Sequence, residues 1–284
     1  PDTTLTTSAI KNCSLTIQIS TKLNRSHIVT GQEALILPCL GRSENDEKEA
    51  GKQFVTIENS MGVVHSSTGF LKPVSKFLRS EPSIIAELGR VVLDKKGAIP
   101  WGDMRDDYNV IRDHIADIIP GFYNFNDRVK NNKEFYLPNS ARDLDFSKIG
   151  GRALFSCTTL DVKRLEQKKL LLMTIRSHDQ YNTTIYGLDD RYRGVKKQRK
   201  VVFVNIEDLK QLKIKSGQLV DLTSHFNGEK RHAYQFIATP YDIPRGCAAA
   251  YFPETNILVP ISSYADRSRT PTSKGIMISI KRSN

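Results

Sequence analysis

From Leu170 onward the chain is a succession of short apolar or alternating runs separated by turn residues, and that spacing leaves few folds open. LLLM (170–173) and VVFVN (201–205) are continuous apolar runs. LVDLTS (219–224) and AYQFIA (233–238) alternate apolar with polar, and CAAAYF (247–252), NILVP (256–260) and IMISI (276–280) complete the series. Runs of this length read as strands, the alternating ones buried on one face. Glu207 to Leu212 supplies one or two helical turns, and Ser216-Gly217 a chain reversal. Many short strands around one short helix predict a small closed β-barrel, in which closure removes the unpaired edges of an open sheet.

The first run leads directly into a dense row of donors and acceptors: Thr174, Arg176, Ser177, His178, Gln180, Tyr181, Asn182, Thr183 and Thr184. Buried polar groups need partners, so this row is satisfied by the protein, by water or by a ligand. A polar loop at a strand end is the plain alternative. The mixture favours a ligand: Arg suits phosphate or carbonyl, and amides and hydroxyls suit heterocycle edges. For Arg176 the competing role is a salt bridge to Asp179, Asp189 or Asp190; for Lys274 it is an exposed loop lysine in the turn-rich stretch Thr270–Gly275. Asp189 and Asp190 are adjacent, so they point apart and make a poor acid–base pair. They are expected to organise their loop through Arg191 or Arg193. Tyr251 and Glu254 could line a cavity or form barrel rim.

The N-terminal half is more mixed. CSLTIQIS (13–20) alternates as a half-buried strand, and ALILP (34–38) reads as a short buried strand stopped by Pro38. The interval between them fits an αβ unit with a very short crossover. GRSENDEKEAGKQ (41–53) is an exposed loop, FVTIE (54–58) a strand and 59–69 irregular. Ser80-Glu81-Pro82 starts a helix reaching about Leu88. A second helix is expected to begin at Asp103 as its cap, with Tyr108, Ile111, Ile115 and Ile118 on one face and Pro120-Gly121 at its end. His114 beside that face reads as a surface or satisfied core histidine. Residues 136–168 read as a connection with a strand near Arg152–Cys157.

The 284 residues, 39% of them hydrophobic, can bury two cores. No apolar run approaches the about 18 residues of a membrane span. The first residue is Pro1 and no charged, apolar leader follows, so the chain is expected to be a piece of a longer one. Cys13, Cys39, Cys157 and Cys247 are dispersed without metal-ligand spacing; each is expected to be a buried free thiol, suiting a reducing cytoplasm. Net charge is +11, with a pI near 9.4, a balance that attracts polyanions. The basic run RYRGVKKQRK (191–200) reads as a solvated loop, with a basic β-barrel nucleic-acid-binding module as the alternative function. Such a patch would want interleaved aromatics, and only Tyr192 is present.

The order of motifs in the C-terminal half resembles the dimethyl sulfoxide reductase superfamily of molybdopterin-guanine-dinucleotide oxidoreductases. The residues that carry the likeness are Thr174-Ile175-Arg176; Asn205 with Asp208; Ile214, Gly217 and Val220; Gly246; Asn256 and Leu258; Asp266; and Pro271 with Lys274. STKLNRSH (20–27), LILPCLGR (35–42), IRSHDQYNTTIYGLDDRYRG (175–194) and PYDIPRGCAAAYFPETN (240–256) look like the formate dehydrogenase alpha subunit branch.

The resemblance implies an α/β plus β fold: residues 1–140 as the C-terminal portion of an αβα, Rossmann-like domain, 141–168 as a connection, and 169–284 as a six-stranded double-psi β-barrel. It implies molybdopterin guanine dinucleotide, in the bis form with molybdenum in the full-length enzyme, held here by Thr174, Arg176, Ser177, Gln180, Tyr181, Asn182, Asn256 and Lys274. The molybdenum ligand and any iron–sulfur cluster would sit in earlier domains of the same polypeptide, so catalytic and metal-ligating residues are expected there and the fragment alone is expected to be silent. A cytoplasmic oxidoreductase without nucleic-acid partners follows from the same likeness. One departure stands out. Many relatives carry His four residues after the Arg of the T-x-R loop, where this chain has Gln180, which cannot titrate.

Overall fold

The computed structural model describes residues 2–93, 97–159, 165–183 and 185–283. The chain divides into two units, one of Pro1–Thr16, Leu23–Leu35 and Leu160–Asn284, the other of Ile17–Lys22 and Ile36–Thr159. This division differs from the expected pieces at 1–140, 141–168 and 169–284, since much of the first 35 residues goes with the barrel. The cause is a latch at Asp2. Its carboxylate caps helix α1 (Thr3–Lys11) by accepting from Leu5 N–H at 3.1 Å. The same carboxylate takes both guanidinium nitrogens of Arg231 at 2.7 and 2.8 Å and Ile261 N–H at 2.9 Å. Burial pushes its pKa up, but Arg231 and the two N–H groups outweigh that and hold it below the usual carboxylate value.

Strand β1 (Leu15–Ser20) pairs with β2 (Glu33–Pro38) in a two-stranded sheet, across a 3-10 turn at Arg25–Ile28. The expectation of a buried second strand is corrected: Leu35 is 49% and Ile36 43% exposed, because two strands alone leave both faces open. Short strands β3 (Glu47–Lys48) and β4 (Gly51–Lys52) form a hairpin. Strands β5 (Val55–Glu58), β6 (Val63–Ser67) and β7 (Glu134–Tyr136) make an antiparallel sheet.

Helices α2 (Glu81–Leu93), α3 (Trp101–Asp106), α4 (Tyr108–Ile118) and α5 (Phe125–Val129) follow. The single helix expected from Asp103 is instead two. Asp107 adopts an extended backbone between them and its side chain caps α4 by accepting from Asn109 N–H, so Asp103 lies inside α3. Gly89 lets α2 approach α3: a Cβ there would stand 2.8 Å from the Trp101 indole. Val64, Phe125, Val129 and Phe135 form this unit's core. The strand expected near Arg152–Cys157 is absent; that segment is exposed and irregular, with Phe155 90% exposed.

The barrel consists of β8 (Leu170–Ile175), β9 (Val201–Val204), β10 (Leu219–Phe226), β11 (Glu229–Pro240), β12 (Cys247–Tyr251) and β13 (Ile276–Arg282), with α6 (Ile206–Gln211) after β9. It closes in the order β10-β11-β9-β12-β8-β13. Two parallel pairs, β8 with β12 and β9 with β11, are joined by antiparallel ones, which makes it a six-stranded double-psi β-barrel. Leu172, Val202, Val204, Val220, Leu222, Phe236 and Ile278 fill the interior, all essentially inaccessible. NILVP, expected as a strand, is a 3-10 turn at Asn256–Leu258. Its apolarity serves burial rather than pairing: Leu258 packs into the barrel core and its carbonyl accepts from Ser224 Oγ at 2.7 Å. Every residue of β9 is buried, since its outer face is covered in turn by Val195 and Tyr251.

Truncating this interior removes contacts that cannot collapse. Leu222→Ala should lower stability in urea denaturation by about 2–5 kcal/mol. Limited proteolysis should cut first between Gly150 and Thr159, before any barrel strand, because cleavage selects exposed backbone; mass mapping of early fragments reads this directly.

Candidate functional site

Between β8 and β9 a loop over 176–200 folds back on the barrel, held by two buried charged groups. Asp190, 1% exposed, accepts from Arg193 Nη1 and from the Tyr251 hydroxyl, both at 2.7 Å, and from the backbone N–H groups of Tyr192 and Arg193. Burial raises its pKa, but Tyr251 and Arg193 outweigh that and hold it below the aspartate norm. The Tyr251 phenol shifts upward, through burial first and then the neighbouring carboxylate. The expected pairing of Asp190 with Arg193 is therefore present. Asp189 instead accepts from Lys197 N–H at 2.7 Å.

Arg199 is the second group, and sequence reasoning placed it in a solvated basic run. It is 5% exposed. Nε meets Glu254 Oε1 at 2.7 Å, Nη1 meets Ser177 Oγ at 2.6 Å, and Nη2 reaches Gln180 Oε1 and Phe252 O, each at 3.0 Å. Its guanidinium lies over the Tyr186 ring at 3.8 Å. A planar fork of five donors can gather this many acceptors where a lysine could not. The one available signal was position: Arg199 stands two residues before the fully buried β9. Within the same run Arg191, Lys196, Lys197 and Lys200 are exposed, while Arg193 and Arg199 are engaged internally.

The candidate cofactor residues divide accordingly. Ser177 and Gln180 are buried and turned toward Arg199. Gln180 Oε1 accepts from Ser177 N–H, and Nε2 donates to Asn182 O at 3.0 Å and Phe252 O at 2.9 Å. Their side chains brace the loop, so the Gln180 amide is fully occupied. Thr174 is buried at the end of β8; its carbonyl accepts from the Lys274 ammonium and its N–H donates to Ser273 O at 3.1 Å. Arg176, Tyr181 and Asn182 are exposed, Asn182 in the left-handed region at φ 49°. Asn256 lies in the 3-10 turn, with its carbonyl accepting from Asp2 N–H. Thr184 lies outside the described residues.

Arg176 and Lys274, separated by almost a hundred positions, are brought to the same end of the barrel. Burial and then the positive charge of Arg176 push the Lys274 pKa down. The two other carboxylates of this loop that sequence offered to Arg176 are engaged elsewhere, Asp189 with Lys197 N–H and Asp190 with Arg193, while Asp179 is largely exposed beside His178. Among the described residues no carboxylate pairs with either cation. Two neighbouring cations without a counter-anion make a site for an anion.

At this end, where β10 turns into β11 and β13 begins, a cavity of about 560 Å³ opens. Lys274 lines it, and Arg176, Gln180 and Asn182 are not part of its wall. Among the cysteines, Cys39 is buried, with its thiol pKa raised by burial, and Cys247 is half-buried. Cys13 and Cys157 are exposed, against expectation, because neither flanking segment is covered by a second layer. No helix among the described residues is long and apolar enough to cross a membrane.

Residues 170–277 match the model of the Molydopterin dinucleotide binding domain. An uncharacterized oxidoreductase of Mycobacterium tuberculosis is 46% identical over 287 residues, which cover 99% of this chain and 37% of that protein. Protein YdeP of Escherichia coli is 35% identical over 290 residues, covering 100% of this chain and 38% of its own length. The chain thus spans little more than a third of these curated relatives. Acetylene hydratase from Pelobacter acetylenicus superposes with a TM-score of 0.54 at 12% identity, over 87% of this chain and 38% of that one; the likeness is one of fold.

Arg199→Met should destabilise the barrel unit by about 3 kcal/mol in chemical denaturation, since Glu254 is left with an unpaired, largely buried charge. Asp190 has a folded pKa below its ordinary 3.8. It therefore contributes stability above the ordinary value that fades as pH falls through the folded one. The stability gap between the native chain and Asp190→Asn should be full at neutral pH and shrink below about pH 4; denaturation curves taken down the pH series read that slope.

Proposed function

We propose, from the premise that residues 170–277 belong to the molydopterin dinucleotide binding domain family, that this chain holds molybdopterin guanine dinucleotide as the C-terminal part of a molybdenum oxidoreductase. The observation that carries the reading is the Arg176–Lys274 pair, two cations at one barrel end with which no carboxylate among the described residues forms an ion pair. A pyrophosphate bridge needs donors without acceptors, and guanidinium plus ammonium supply that. The exposed Asn182 and Tyr181 lie on the same loop and offer an amide and a phenol to a heterocycle edge.

When bound, the molybdenum-bearing pterin supplies two-electron redox chemistry, and the protein supplies placement and field. Arg199, Gln180 and Ser177 keep the Arg176 loop in one conformation. Arg176 sets a fixed positive charge beside the ligand. Other domains of the same polypeptide are the proposed partners and carry the metal ligand and any iron–sulfur cluster, in a cytoplasmic, formate dehydrogenase-like enzyme. Relatives more than twice as long as this chain, one of them named an oxidoreductase, support that arrangement.

The test is calorimetric titration of the purified chain with the released dinucleotide cofactor. Arg176→Ala and Lys274→Ala should each weaken binding about tenfold, the worth of one charge-assisted hydrogen bond. Both variants should keep the native circular dichroism spectrum. Affinity unchanged in both would remove the cation pair from the site. Supplied with cofactor alone, the chain should show no formate oxidation in a dye-linked assay.

A further inference from the structure

Between β6 and helix α2 the chain runs FLKPVSKFLR (70–79), and most of its large apolar side chains face outward. Phe70 is 81%, Leu71 61%, Val74 90% and Phe77 81% exposed. Exposures this high belong to side chains that project from the surface rather than line a groove. The backbone beneath them is tied down. Phe70 N–H and Leu71 N–H both donate to Ser43 O at 2.9 Å, and Asn45 N–H donates to Leu71 O at 2.8 Å. Val74 N–H donates to Glu44 Oε1 at 3.1 Å, and Leu40 N–H to Arg79 O at 3.0 Å. Gly69 permits this close approach, since a Cβ there would stand 2.0 Å from Glu44 O. The same loop is basic: it holds Lys72, Lys76 and Arg79 and no carboxylate. Lys76 Nζ lies over the Phe77 ring at 5.3 Å, and Lys52 Nζ from β4 over the Phe70 ring at 4.5 Å. Among the described residues none of these four cations forms an ion pair, and the Glu44 carboxylate is engaged by the N–H groups of Gly41 and Val74.

A fixed loop that holds four apolar side chains in water is costly unless something covers them, and clustered exposed apolar groups mark contact sites. The interleaved cations decide what the cover is. Apolar side chains among lysines match a bilayer with an anionic surface: the apolar groups enter the boundary between head groups and acyl chains, and the lysine stems lie along them with their ammonium groups at the phosphates. A bilayer moulds itself to side chains that project, whereas a protein would need a preformed cleft both apolar and acidic. We propose that residues 70–79 dock reversibly on an anionic lipid surface, with Phe70, Leu71, Val74 and Phe77 inserted and Lys52, Lys72, Lys76 and Arg79 at the head groups. Such docking needs no membrane-crossing segment, and the cytoplasmic leaflet carries anionic lipid. It does not depend on the cofactor reading, which concerns the barrel.

Sedimentation of the purified chain with vesicles tests this, using phosphatidylcholine alone and phosphatidylcholine mixed with phosphatidylglycerol in equal parts. The chain should pellet with the mixed vesicles and not with the neutral ones, and added salt should release it. Lys72→Gln and Lys76→Gln should each weaken partition about fivefold, the worth of one cation at an anionic surface. Phe77→Ser and Val74→Ser should each weaken it about tenfold by removing inserted apolar area. All four side chains are exposed, so these variants should unfold thermally as the native chain does. Ile85→Ser, which removes an exposed apolar side chain from α2, should leave binding unchanged; that separates docking by the loop from general adhesion. Failure to bind the mixed vesicles, equal binding to neutral ones, indifference to Phe77→Ser and Lys76→Gln, or an equal loss in Ile85→Ser overturns the proposal. So does a concentration-dependent dimer in light scattering that Phe77→Ser abolishes, which assigns the loop to a contact between two copies.

Discussion

A guanidinium removed from water fixes the candidate site. Arg199 ties its own segment to two others: the turn at Ser177 and Gln180, and the stretch that supplies the Phe252 carbonyl and the Glu254 carboxylate. A charge so deeply placed is costly unless its donors are matched, and here the matches fasten Ser177 and Gln180 at the start of the loop to Arg199 at its end. Asp190 does the same a short distance along, matched by Tyr251 and Arg193. Between them they turn a polar loop into a fixed platform, and the exposed Arg176 is carried on it. The loop's order thus derives from buried electrostatics with a modest apolar contribution from Val195.

The barrel was legible because its signal is local. β-branched and alternating runs at short spacing, with one helix between, admit few closed arrangements, and six of the seven expected strands are present. The seventh, NILVP, shows the limit: an apolar run records burial and is silent about whether the backbone pairs. Likewise RYRGVKKQRK could not disclose that Arg199 turns inward, because its acceptors lie as far along as Glu254. Composition marks Arg and Gln as ligand-type residues. Whether Gln180 faces a ligand or its own protein is decided by contacts from Phe252 and Arg199. The start of the second helix failed for a similar reason, since Asp103 and Asp107 are both competent caps and only the kink selects between them, whereas the first helix begins at Glu81 as expected. The nearness of Arg176 to Lys274, whose pKa it pushes down, is marked by neither residue type alone.

The N-terminal half was less legible because its elements are short and irregular. The two-stranded sheet of β1 and β2 has apolar residues open to solvent on both strands. Small sheets elsewhere in that half take their order from particular side chains, among them Arg112, which donates to Phe54 O and Asn126 Oδ1 and covers the Phe54 ring. Such polar bracing leaves no periodic trace in sequence.

The latch between Asp2 and Arg231 has a kinetic meaning. Its two partners are 229 positions apart, so the loop it closes contains nearly every other element of the protein. During synthesis from the N-terminus, helix α1 emerges with its capping carboxylate already formed and with nothing for that carboxylate to grip. It must wait, exposed and marginally stable, until β11 has been made and the hairpin that carries Arg231 has closed. Helix α1 is therefore made well before the strand whose arginine completes its cap, and becomes native only once that strand has folded.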